Sequence, residues 1–288
     1  MNSNNISPSL IKWTGSKRSQ ASSIAHFFPA DAPNYFEPFL GGGSVLFYAT
    51  QHFAHCFASD IYRPLIEIWD TVKMMPNAVV ESYTDNWLRL QQDFPNFYYE
   101  VRDRFNLSKK GLDLLFLTRT CVNGIIRFNE EGQFNNSLHL SRRGMTPKRF
   151  ASIVALWNDR LKTTSFSTAD YSDILGKVSK GDFVYLDPPY ANSHNRYIDD
   201  LNIDRLLIFL EQLNSKDVRW ALSFDGTRGD NILTYEIPKS LYRFHTFLKS
   251  GYSSVSKVLN STVEPVYESL YLNFEPQSHK ITQLKFAL

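Results

Sequence analysis

The sequence predicts an α/β protein with a largely parallel sheet and a mostly helical insertion. Short apolar runs typical of buried strands alternate with helical patterns along most of the chain, and this order favours parallel strands joined by crossover helices. The alternation stops between residues 67 and 154. We therefore expect one domain from residues 1–66 together with 155–288, and a second, inserted domain from residues 67–154.

The predicted strands are short apolar runs, each followed by a loop or a polar residue. The first ends at Glu37 and leads through a glycine-rich loop into a helix from Ser44. The second, residues 55–59, ends at Asp60. A later run, residues 183–186, stops abruptly because two prolines follow it, and proline cannot continue a sheet ladder. The other strands are expected at 164–167, 219–224, 242–247 and 268–274.

The bulk composition is that of an ordinary globular protein, with 43% hydrophobic and 21% charged residues in 288. No apolar run approaches the about 20 residues of a membrane span, and residues 1–5 have neither a basic start nor an apolar stretch. We expect a cytoplasmic protein associated with no membrane. His52 and His55 lie close together, but no carboxylate or further ligand completes a metal site, so we expect no bound metal.

The insertion ends in a polar, Asn- and Arg-rich segment from Asn123 to Lys148. Between Thr118 and Val154, six arginines and lysines stand against two glutamates. The net charge of +2 for the whole chain is weak evidence for a nucleic-acid partner. The local basic excess is the better indication of where such a partner would bind.

The most informative motif is Asp187-Pro188-Pro189-Tyr190, directly after the apolar run 183–186. The prolines hold the chain in an extended shape. The motif thereby gathers one carboxylate, backbone carbonyls without competing N–H groups, and one aromatic face. An exocyclic amino group on a planar ring needs two acceptors for its hydrogens and a ring to stack on. The motif favours an amino-methylating enzyme over its alternative, an Asp-Pro turn that closes a strand.

Residues 37–43, Glu-Pro-Phe-Leu-Gly-Gly-Gly, join a predicted strand to a helix. Glycines take φ > 0 and let the backbone approach a ligand. The loop is not G-x-G-x-x-G, and no Gly-Lys-Ser/Thr follows, so it favours an adenosine compound with an amino-acid tail over a phosphate. Asp60 ends the next strand 17 residues after Gly43, close to the offset of about 20 residues at which an acid reaches ribose hydroxyls. Although a glycine loop alone is usually a turn, its pairing with Asp60 favours a cofactor site.

Five motifs in one order resemble the Dam-type, D12-class (α-order) DNA adenine-N6 methyltransferases, a family that includes restriction–modification methylases. The match extends from Lys12 to about Phe274, which is nearly the whole chain. No single motif would be specific, but the ordered set is. The motifs are Lys12–Lys17, Glu37–Ser44, Ser59–Ile61, Asn123–Asn129 and Asp187–Tyr190.

The resemblance implies a Rossmann-like methyltransferase sheet that uses S-adenosylmethionine, with the insertion as target-recognition domain. It implies methyl transfer to N6 of a flipped-out adenine at a specific site in double-stranded DNA. The protein is expected either to work beside a restriction endonuclease that acts on the same site or to act alone as an orphan methylase. We expect a monomer that acts at the nucleoid of a bacterial cell.

By the same resemblance, the catalytic residues are Asp187, Pro188, Pro189 and Tyr190. The implied cofactor-binding residues are Trp13 on the adenine, Lys17 on the carboxylate, Glu37, Phe39, Gly41 and Gly43 in the pocket floor, Asp60 on the ribose, Asp170 near the base, and Asp187 between cofactor and target.

The family's recognition segment implies a second set of residues, at the DNA. Arg127 matches a position that reads guanine in the major groove, and Ile125 matches an apolar base contact. Arg142 and Arg143 lie beside this segment, and we expect them to contact phosphate rather than to belong to a solvated loop. The full expected set is Lys12, Asn123, Ile125, Arg127, Asn129, Arg142 and Arg143.

Two departures from the family pattern affect the target sequence. Val122 stands where many methylases of GATC sites carry a tyrosine. The run Asn136-Ser137-Leu138-His139 replaces their Asn-Val-Pro. Neither touches the cofactor or catalytic motifs.

Several rival functions share the same chemistry. Methylation of cytosine N4, of RNA adenine or of a protein amide also acts on an amino group of a planar system, and the basic insertion argues for duplex DNA instead. A non-catalytic DNA-binding relative is a rival of another class. Intact motifs at Asp187–Tyr190 and Trp13–Lys17 argue against it.

Overall fold

The apolar runs predicted as strands form one mixed sheet. The computed structural model describes residues 7–189, 201–228, 231–232, 237–252 and 265–277. Within these ranges the sheet has eight strands in the order β3-β2-β1-β4-β5-β8-β7, with β6 paired to β5. The strands are β1 (Asn34–Glu37), β2 (His55–Asp60), β3 (Thr164–Thr168), β4 (Phe183–Leu186), β5 (Arg219–Arg228), β6 (Asn231–Ile232), β7 (Phe244–Tyr252) and β8 (Pro265–Leu272).

Five neighbouring strands, β3 to β5, pair in parallel, and β8 runs antiparallel between β5 and β7. The parallel part is Rossmann-like, because the strand order reverses on the two sides of β1. In such sheets ligands bind beyond the carboxyl ends of the strands at this reversal. The topology therefore predicts a site where β1 and β4 end, at Glu37 and Leu186. The α/β fold class expected from the sequence is confirmed.

Both faces of the central strands are buried, which explains their continuous apolar runs. Along β4, Phe183 and Tyr185 pack into one hydrophobic core and Val184 and Leu186 into the other. The first core contains helices α1 to α7, and the second contains α8 and a 3-10 helix. The helices are α1 (Ala21–Ala25), α2 (Leu46–Ala49), α3 (Arg63–Met74), α4 (Pro76–Gln92), α5 (Asn96–Ser108), α6 (Gly111–Thr120), α7 (Pro147–Arg160) and α8 (Ile203–Ser215), with 3-10 helices at Val122–Gly124, Leu161–Thr163 and Tyr171–Gly176.

Helix α3 connects the helical insertion to the sheet. Helix α3 contacts β2 and β3 on one side and α4, α6 and α7 on the other. The domain limits expected at residues 66/67 and 154/155 fall inside α3 and α7. After α6 the chain follows an irregular path, with isolated bridges between Cys121 and Leu138 and between Phe128 and Phe134.

The C-terminal strand differs from its predicted limits. We expected residues 268–274, whereas β8 ends at Leu272. The strand ends where the side chain of Asn273 forms hydrogen bonds with Trp220 and Asn214. Its Oδ1 accepts from Trp220 N at 2.7 Å, and its Nδ2 donates to Asn214 Oδ1 at 2.8 Å. Among the helices in the described ranges, none has the length and apolar character needed to cross a bilayer.

Candidate active site

A cavity of about 330 Å³ lies where the topology places a ligand site, beyond the ends of β1 and β4. Its size is within the usual range for small-molecule sites. The walls come from the N-terminal segment, the glycine-rich loop, the ends of β2, β3 and β4, the start of α8 and the irregular segment after α6. Lining residues include Trp13, Lys17, Glu37, Phe39, Gly41, Gly43, Asp60, Asp170, Asp187, Pro188 and Pro189.

The glycines of the loop have a packing role in addition to their conformational one. Gly41 and Gly43 have φ of +48° and +65°, as expected for such a turn. A Cβ at Gly41 would lie 2.9 Å from Trp13 Cδ1, and one at Gly43 would lie 2.8 Å from Trp69 Cζ2. Two tryptophan rings thus occupy the space that side chains would need. The loop is glycine-rich because its backbone lies directly against these indoles.

Asp60 connects the end of β2 to the glycine-rich loop. Its Oδ2 accepts from Gly41 N at 3.1 Å, and its Oδ1 accepts from Tyr62 N at 3.0 Å. Burial raises the pKa of Asp60 to about 6, although these backbone hydrogen bonds oppose the shift. Asp60 therefore shapes the loop and also presents a carboxylate to the cavity.

Glu37 is almost fully buried at the end of β1. Tyr35 Oη donates to Glu37 Oε2 at 2.6 Å. Burial raises the pKa of Glu37 well above its usual range, and the negative charges of Asp187 and Asp60 add to the effect. Together with Asp60, Asp170 and Asp187, Glu37 makes four carboxyl groups that line one cavity, which favours a ligand that carries positive charge or hydrogen-bond donors.

Asp187 directly follows β4, and its carboxylate pairs with Lys17 Nζ at 2.7 Å. Burial raises the pKa of Asp187 to about 6, while the Lys17 ammonium opposes the rise. Pro188 and Pro189 follow it along the cavity wall. Tyr190, the last residue of the motif, lies outside the described residues.

Lys17 is buried, with only 4% of its side chain exposed, and it faces two carboxylates. Besides Asp187, its Nζ lies 3.3 Å from Glu268 Oε2 on β8. Ser250 Oγ on β7 donates to Glu268 Oε1 at 3.0 Å. Sequence reasoning missed Glu268; its one signal is a carboxylate inside an otherwise uncharged strand run.

Asp170 begins the 3-10 helix Tyr171–Gly176 and caps it. Arg205 of α8 forms a two-pronged ion pair with this carboxylate, at 2.6 and 3.1 Å, and lies over the Tyr171 ring. Burial opposes ionisation of Asp170, but hydrogen bonds from Ser172 and Arg205 outweigh it and lower the pKa. Arg205 was not expected from the sequence.

The segment from Asn123 to Asn129 has two sides. Ile126 and Phe128 line the cavity, and Phe128 packs edge-on against Tyr62 with centroids 5.6 Å apart. By contrast, Asn123, Ile125 and Arg127 are exposed. Expected base-contacting residues and cavity-lining residues therefore alternate along one short stretch.

The N-terminal motif supports this segment from beneath. Ile126 N donates to Thr14 Oγ1 at 3.2 Å. Gly124 has φ +64°, and a Cβ there would lie 2.5 Å from Lys12 Cδ. Lys12 is half-buried, and burial together with the charges of Arg119 and Arg142 lowers its pKa. Lys12, Trp13 and Thr14 are consecutive, so one short segment both lines the cavity and contacts the segment Asn123–Asn129.

The arginines expected at the DNA, Arg127, Arg142 and Arg143, are all exposed. Arg127 Nε donates to Asn135 Oδ1 at 2.8 Å, which holds the guanidinium to one side of the loop. Asn129 accepts from Gln133 N at 2.8 Å, so its side chain closes the loop rather than projecting freely. The guanidinium of Arg143 lies 4.1 Å from the centre of the Phe94 ring.

The two departures from the family pattern contact each other. Val122 N donates to Ser137 O at 2.9 Å. Asn136 Nδ2 donates to Val122 O at 3.0 Å and to Ile125 O at 2.8 Å. The residues that replace the GATC pattern thus form one structural unit beneath Ile125.

Fold and cavity together define an α/β protein with a ligand-sized cavity at the reversal of its strand order, bordered by the segment Asn123–Asn129. Residues 13–250 match the family model of the D12 class N6 adenine-specific DNA methyltransferases. The chain belongs to this family, and the enzyme class expected from the sequence, an adenine-specific DNA methyltransferase, is confirmed.

Relatives of this family are between a quarter and a third identical to the chain over the aligned residues. It is 32% identical over 243 residues to the Type II methyltransferase M.MjaIII of Methanocaldococcus jannaschii, covering 74% of this chain and 82% of that protein. It is 31% identical over 189 residues to a DNA adenine methylase of Serratia marcescens (63% and 66% covered). It is 27% identical over 185 residues to a DNA adenine methylase of Vibrio cholerae (63% and 64% covered). The matches to these two methylases span just under two thirds of their length.

Proposed function

We propose that this protein transfers a methyl group from S-adenosylmethionine to N6 of an adenine at a specific site in duplex DNA. One observation carries the proposal. Asp187, Pro188 and Pro189 border the same cavity that Ile126 and Phe128, from the segment Asn123–Asn129, line on another side. A flipped base that enters beneath this segment would meet the Asp187 carboxylate next to the bound cofactor.

The lining of the cavity fits S-adenosylmethionine. Trp13 and Phe39 offer aromatic faces to a purine, and Asp60 and Asp170 offer acceptors for ribose hydroxyls and for the adenine amino group. The described lining contains two cations, Lys17 and Arg205. Lys17, which already pairs with Asp187 and Glu268, would hold the amino-acid carboxylate as well, and Glu37 would accept from its ammonium group. When bound, the cofactor supplies an electrophilic methyl group on a sulfonium.

Asp187 would act on the target amino group by accepting one of its hydrogens, with the Pro188 carbonyl accepting the other. Two such hydrogen bonds favour a tetrahedral nitrogen, whose lone pair is then localised towards the methyl donor. The carboxylate also stabilises the positive charge that develops on nitrogen. Alignment of the two reacting groups contributes further. Asp187 need not be a strong base, because a methylated ammonium loses its proton readily to water.

The target adenine must leave the helix, because its amino group cannot reach this cavity from within a stacked duplex. We assign Tyr190 as the stacking partner of the flipped base, which would offset about 1–3 kcal/mol of lost stacking. Residues 67–154 would form the target-recognition domain. Within it, exposed Arg127 and Ile125 would contact bases, and exposed Arg142 and Arg143 would contact phosphate. Asn123 and Asn129 would complete the DNA-binding surface of this domain, and Lys12 would reach it from the N-terminal segment.

The biological setting follows from the activity. We propose a monomer that acts in the cytoplasm on chromosomal DNA, either alone or beside a restriction endonuclease that cleaves the same sequence. Val122 and residues 136–139 depart from the GATC pattern, so the target sequence is left to the mapping experiment that follows.

Base-resolved mapping of methylated DNA tests the proposal. Unmethylated genomic DNA is incubated with purified protein and isotopically labelled S-adenosylmethionine, and modified bases are located by sequencing and mass spectrometry. We expect N6-methyladenine within one short motif and none with Asp187→Ala. Parallel incubations with RNA and with protein extract test the rival substrates. Label in cytosine, label in RNA or protein but not in DNA, or no label at all would overturn the assignment.

A further inference from the structure

Glu268 lies outside the cavity lining, yet it shares a cation with the residue we place at the reacting nitrogen. Lys17 Nζ lies 2.7 Å from Asp187 Oδ1 and 3.3 Å from Glu268 Oε2. Both carboxylates are largely enclosed, with 18% and 17% of their side chains exposed. The ion pair therefore continues past Lys17 to a third residue on a different strand.

Glu268 itself is held in place from the neighbouring strand. Ser250 Oγ donates to Glu268 Oε1 at 3.0 Å. The other oxygen, Oε2, is buried and has no hydrogen-bond partner, so its interaction with Lys17 is electrostatic. An enclosed carboxylate is costly unless a charge compensates it, and here Lys17 provides that charge. The side chain of Glu268 is thus fixed at one end and directed at Lys17 from the other.

The backbone around Lys17 is fastened to the same pair of strands. Ser19 Oγ donates to Ser250 O at 2.8 Å, and Gln20 Nε2 donates to Leu248 O at 3.2 Å. Both acceptors belong to β7, which pairs with β8. The paired strands β7 and β8 therefore help to position Lys17, and through Lys17 they affect how much positive charge Asp187 receives.

We propose that Glu268 is a positioning residue for methyl transfer: it divides the Lys17 ammonium between two carboxylates, so that Asp187 remains an effective acceptor for the target amino group. The catalytic role of Glu268 rests on the proposed function. The electrostatic coupling of Glu268 to Asp187 through Lys17 is independent of that function.

The physical reason is a balance of charges around Asp187. Lys17 lowers the pKa of Asp187, and the negative charge of Glu268 raises it. Glu37 on β1 and Tyr185 on β4 also interact with the Asp187 carboxylate. An ammonium that paired with Asp187 alone would make it a weaker hydrogen-bond acceptor. Glu268 opposes that loss.

Glu268→Gln removes the charge and keeps the shape, and Glu275→Gln, an exposed glutamate after the same strand, is the matched control. Selective ¹³C labelling of aspartate carboxyl groups, with Asp187→Asn to assign the signal, gives the pKa of Asp187 without any need for turnover. We expect Glu268→Gln to lower it by on the order of one unit, the scale of a nearby charge. Glu275→Gln and Glu268→Asp should leave it close to the wild-type value. An unchanged titration in Glu268→Gln would overturn the coupling.

A second measurement tests the catalytic consequence. On a duplex carrying the mapped site, kcat of Glu268→Gln should fall roughly 10- to 100-fold, as expected for a misplaced catalytic group. Its duplex Kd should stay within twofold of wild type, and the acid limb of its kcat profile should move to lower pH. A lower melting temperature with an unaltered profile would reduce Glu268 to a structural residue and overturn the proposal. An inactive wild type would instead refute the proposed function, while the titration still decides the coupling.

Discussion

The indole of Trp13 lies in the space that a side chain on Gly41 would occupy, with 2.9 Å between Trp13 Cδ1 and the position of a Cβ on Gly41. The relationship joins two motifs far apart in sequence. Position 41 requires glycine for two reasons: the indole ring leaves no space for a Cβ, and φ is +48°. Because Trp13 lines the cavity, the fit of this pair determines the shape of the proposed adenine site.

Gly41→Ala should therefore reduce affinity for S-adenosylmethionine. Gly132→Ala is a matched control, since Gly132 also has positive φ, +70°, but a Cβ there would meet nothing within 4 Å. Both variants should lose about 1–2 kcal/mol of stability from the left-handed backbone. Only Gly41→Ala should weaken cofactor binding, by roughly tenfold, in calorimetric titrations. Equal cofactor affinity in the two variants would contradict a role for the Trp13–Gly41 contact.

The pH dependence of the reaction should report Asp187. Its pKa is raised to about 6 by burial, so the carboxylate needed to accept the amino hydrogen is lost as pH falls through that value. At saturating S-adenosylmethionine, where protonation of Asp60 does not limit the rate through cofactor binding, we expect kcat/KM for a target duplex to be level above about pH 7. Below about pH 6 it should fall by up to tenfold per unit. Asp187→Asn should be slow at every pH and show no such limb. A wild-type profile that stays level down to pH 5 would argue against Asp187 as the acceptor.

Asp187→Ala should separate chemistry from DNA binding. Turnover should be abolished, while duplex affinity stays within a few fold, because phosphate contacts made elsewhere carry most of the affinity. Fluorescence anisotropy with a labelled duplex and single-turnover kinetics measure the two properties. If binding disappears together with activity, the role of Asp187 is structural.

The amino-acid pattern was sufficient for the parallel strands that border the cavity, but not for the limits of β7 and β8, for β6 or for the charges inside the site. Strand β4 was predicted at both ends, since an apolar run buried on two faces and closed by prolines has little freedom. The ends of β1 and β2 were predicted for similar reasons. Their polar terminal residues, Glu37 and Asp60, both line the cavity.

The ion pairs could not be predicted, because each joins segments that only the fold brings together. Lys17 precedes α1, Asp187 follows β4 and Glu268 lies on β8. From the sequence alone, a lysine in the N-terminal motif is equally compatible with a cofactor carboxylate as its partner. The pairing of Asp170 with Arg205 joins two segments in the same way. Long-range pairing of this kind has no local periodicity that a sequence pattern could reveal.

Cofactor recognition and sequence recognition should be separable by mutation. Trp13→Ala removes the ring that faces the cavity, and Asp60→Ala removes the carboxylate that faces it. Both should weaken S-adenosylmethionine binding in calorimetry, whereas the motif methylated at saturating cofactor should be unchanged. Asp60→Ala should also cost about 1–3 kcal/mol of stability, because it leaves two backbone donors without their acceptor. Unaltered cofactor affinity in both variants would refute the pocket assignment.

Arg127 is the residue that we expect to read sequence. Its side chain is exposed, and Asn135 Oδ1 holds Nε at 2.8 Å, which leaves the guanidinium oriented before DNA arrives. A bidentate contact to O6 and N7 of guanine is worth about 1–3 kcal/mol of discrimination at one base pair. Arg127→Ala should therefore accept substitution of a single guanine next to the target adenine.

The contrast with the neighbouring arginines makes this prediction decisive. Arg142 and Arg143 are exposed beside the recognition segment, and as phosphate contacts they should affect every duplex alike. Arg142→Ala and Arg143→Ala should weaken all substrates uniformly and flatten the dependence of binding on salt. Initial rates on a set of single-substituted duplexes compare the three variants directly. If Arg127→Ala shows the same uniform loss at every position, then Arg127 grips phosphate and another residue reads the base.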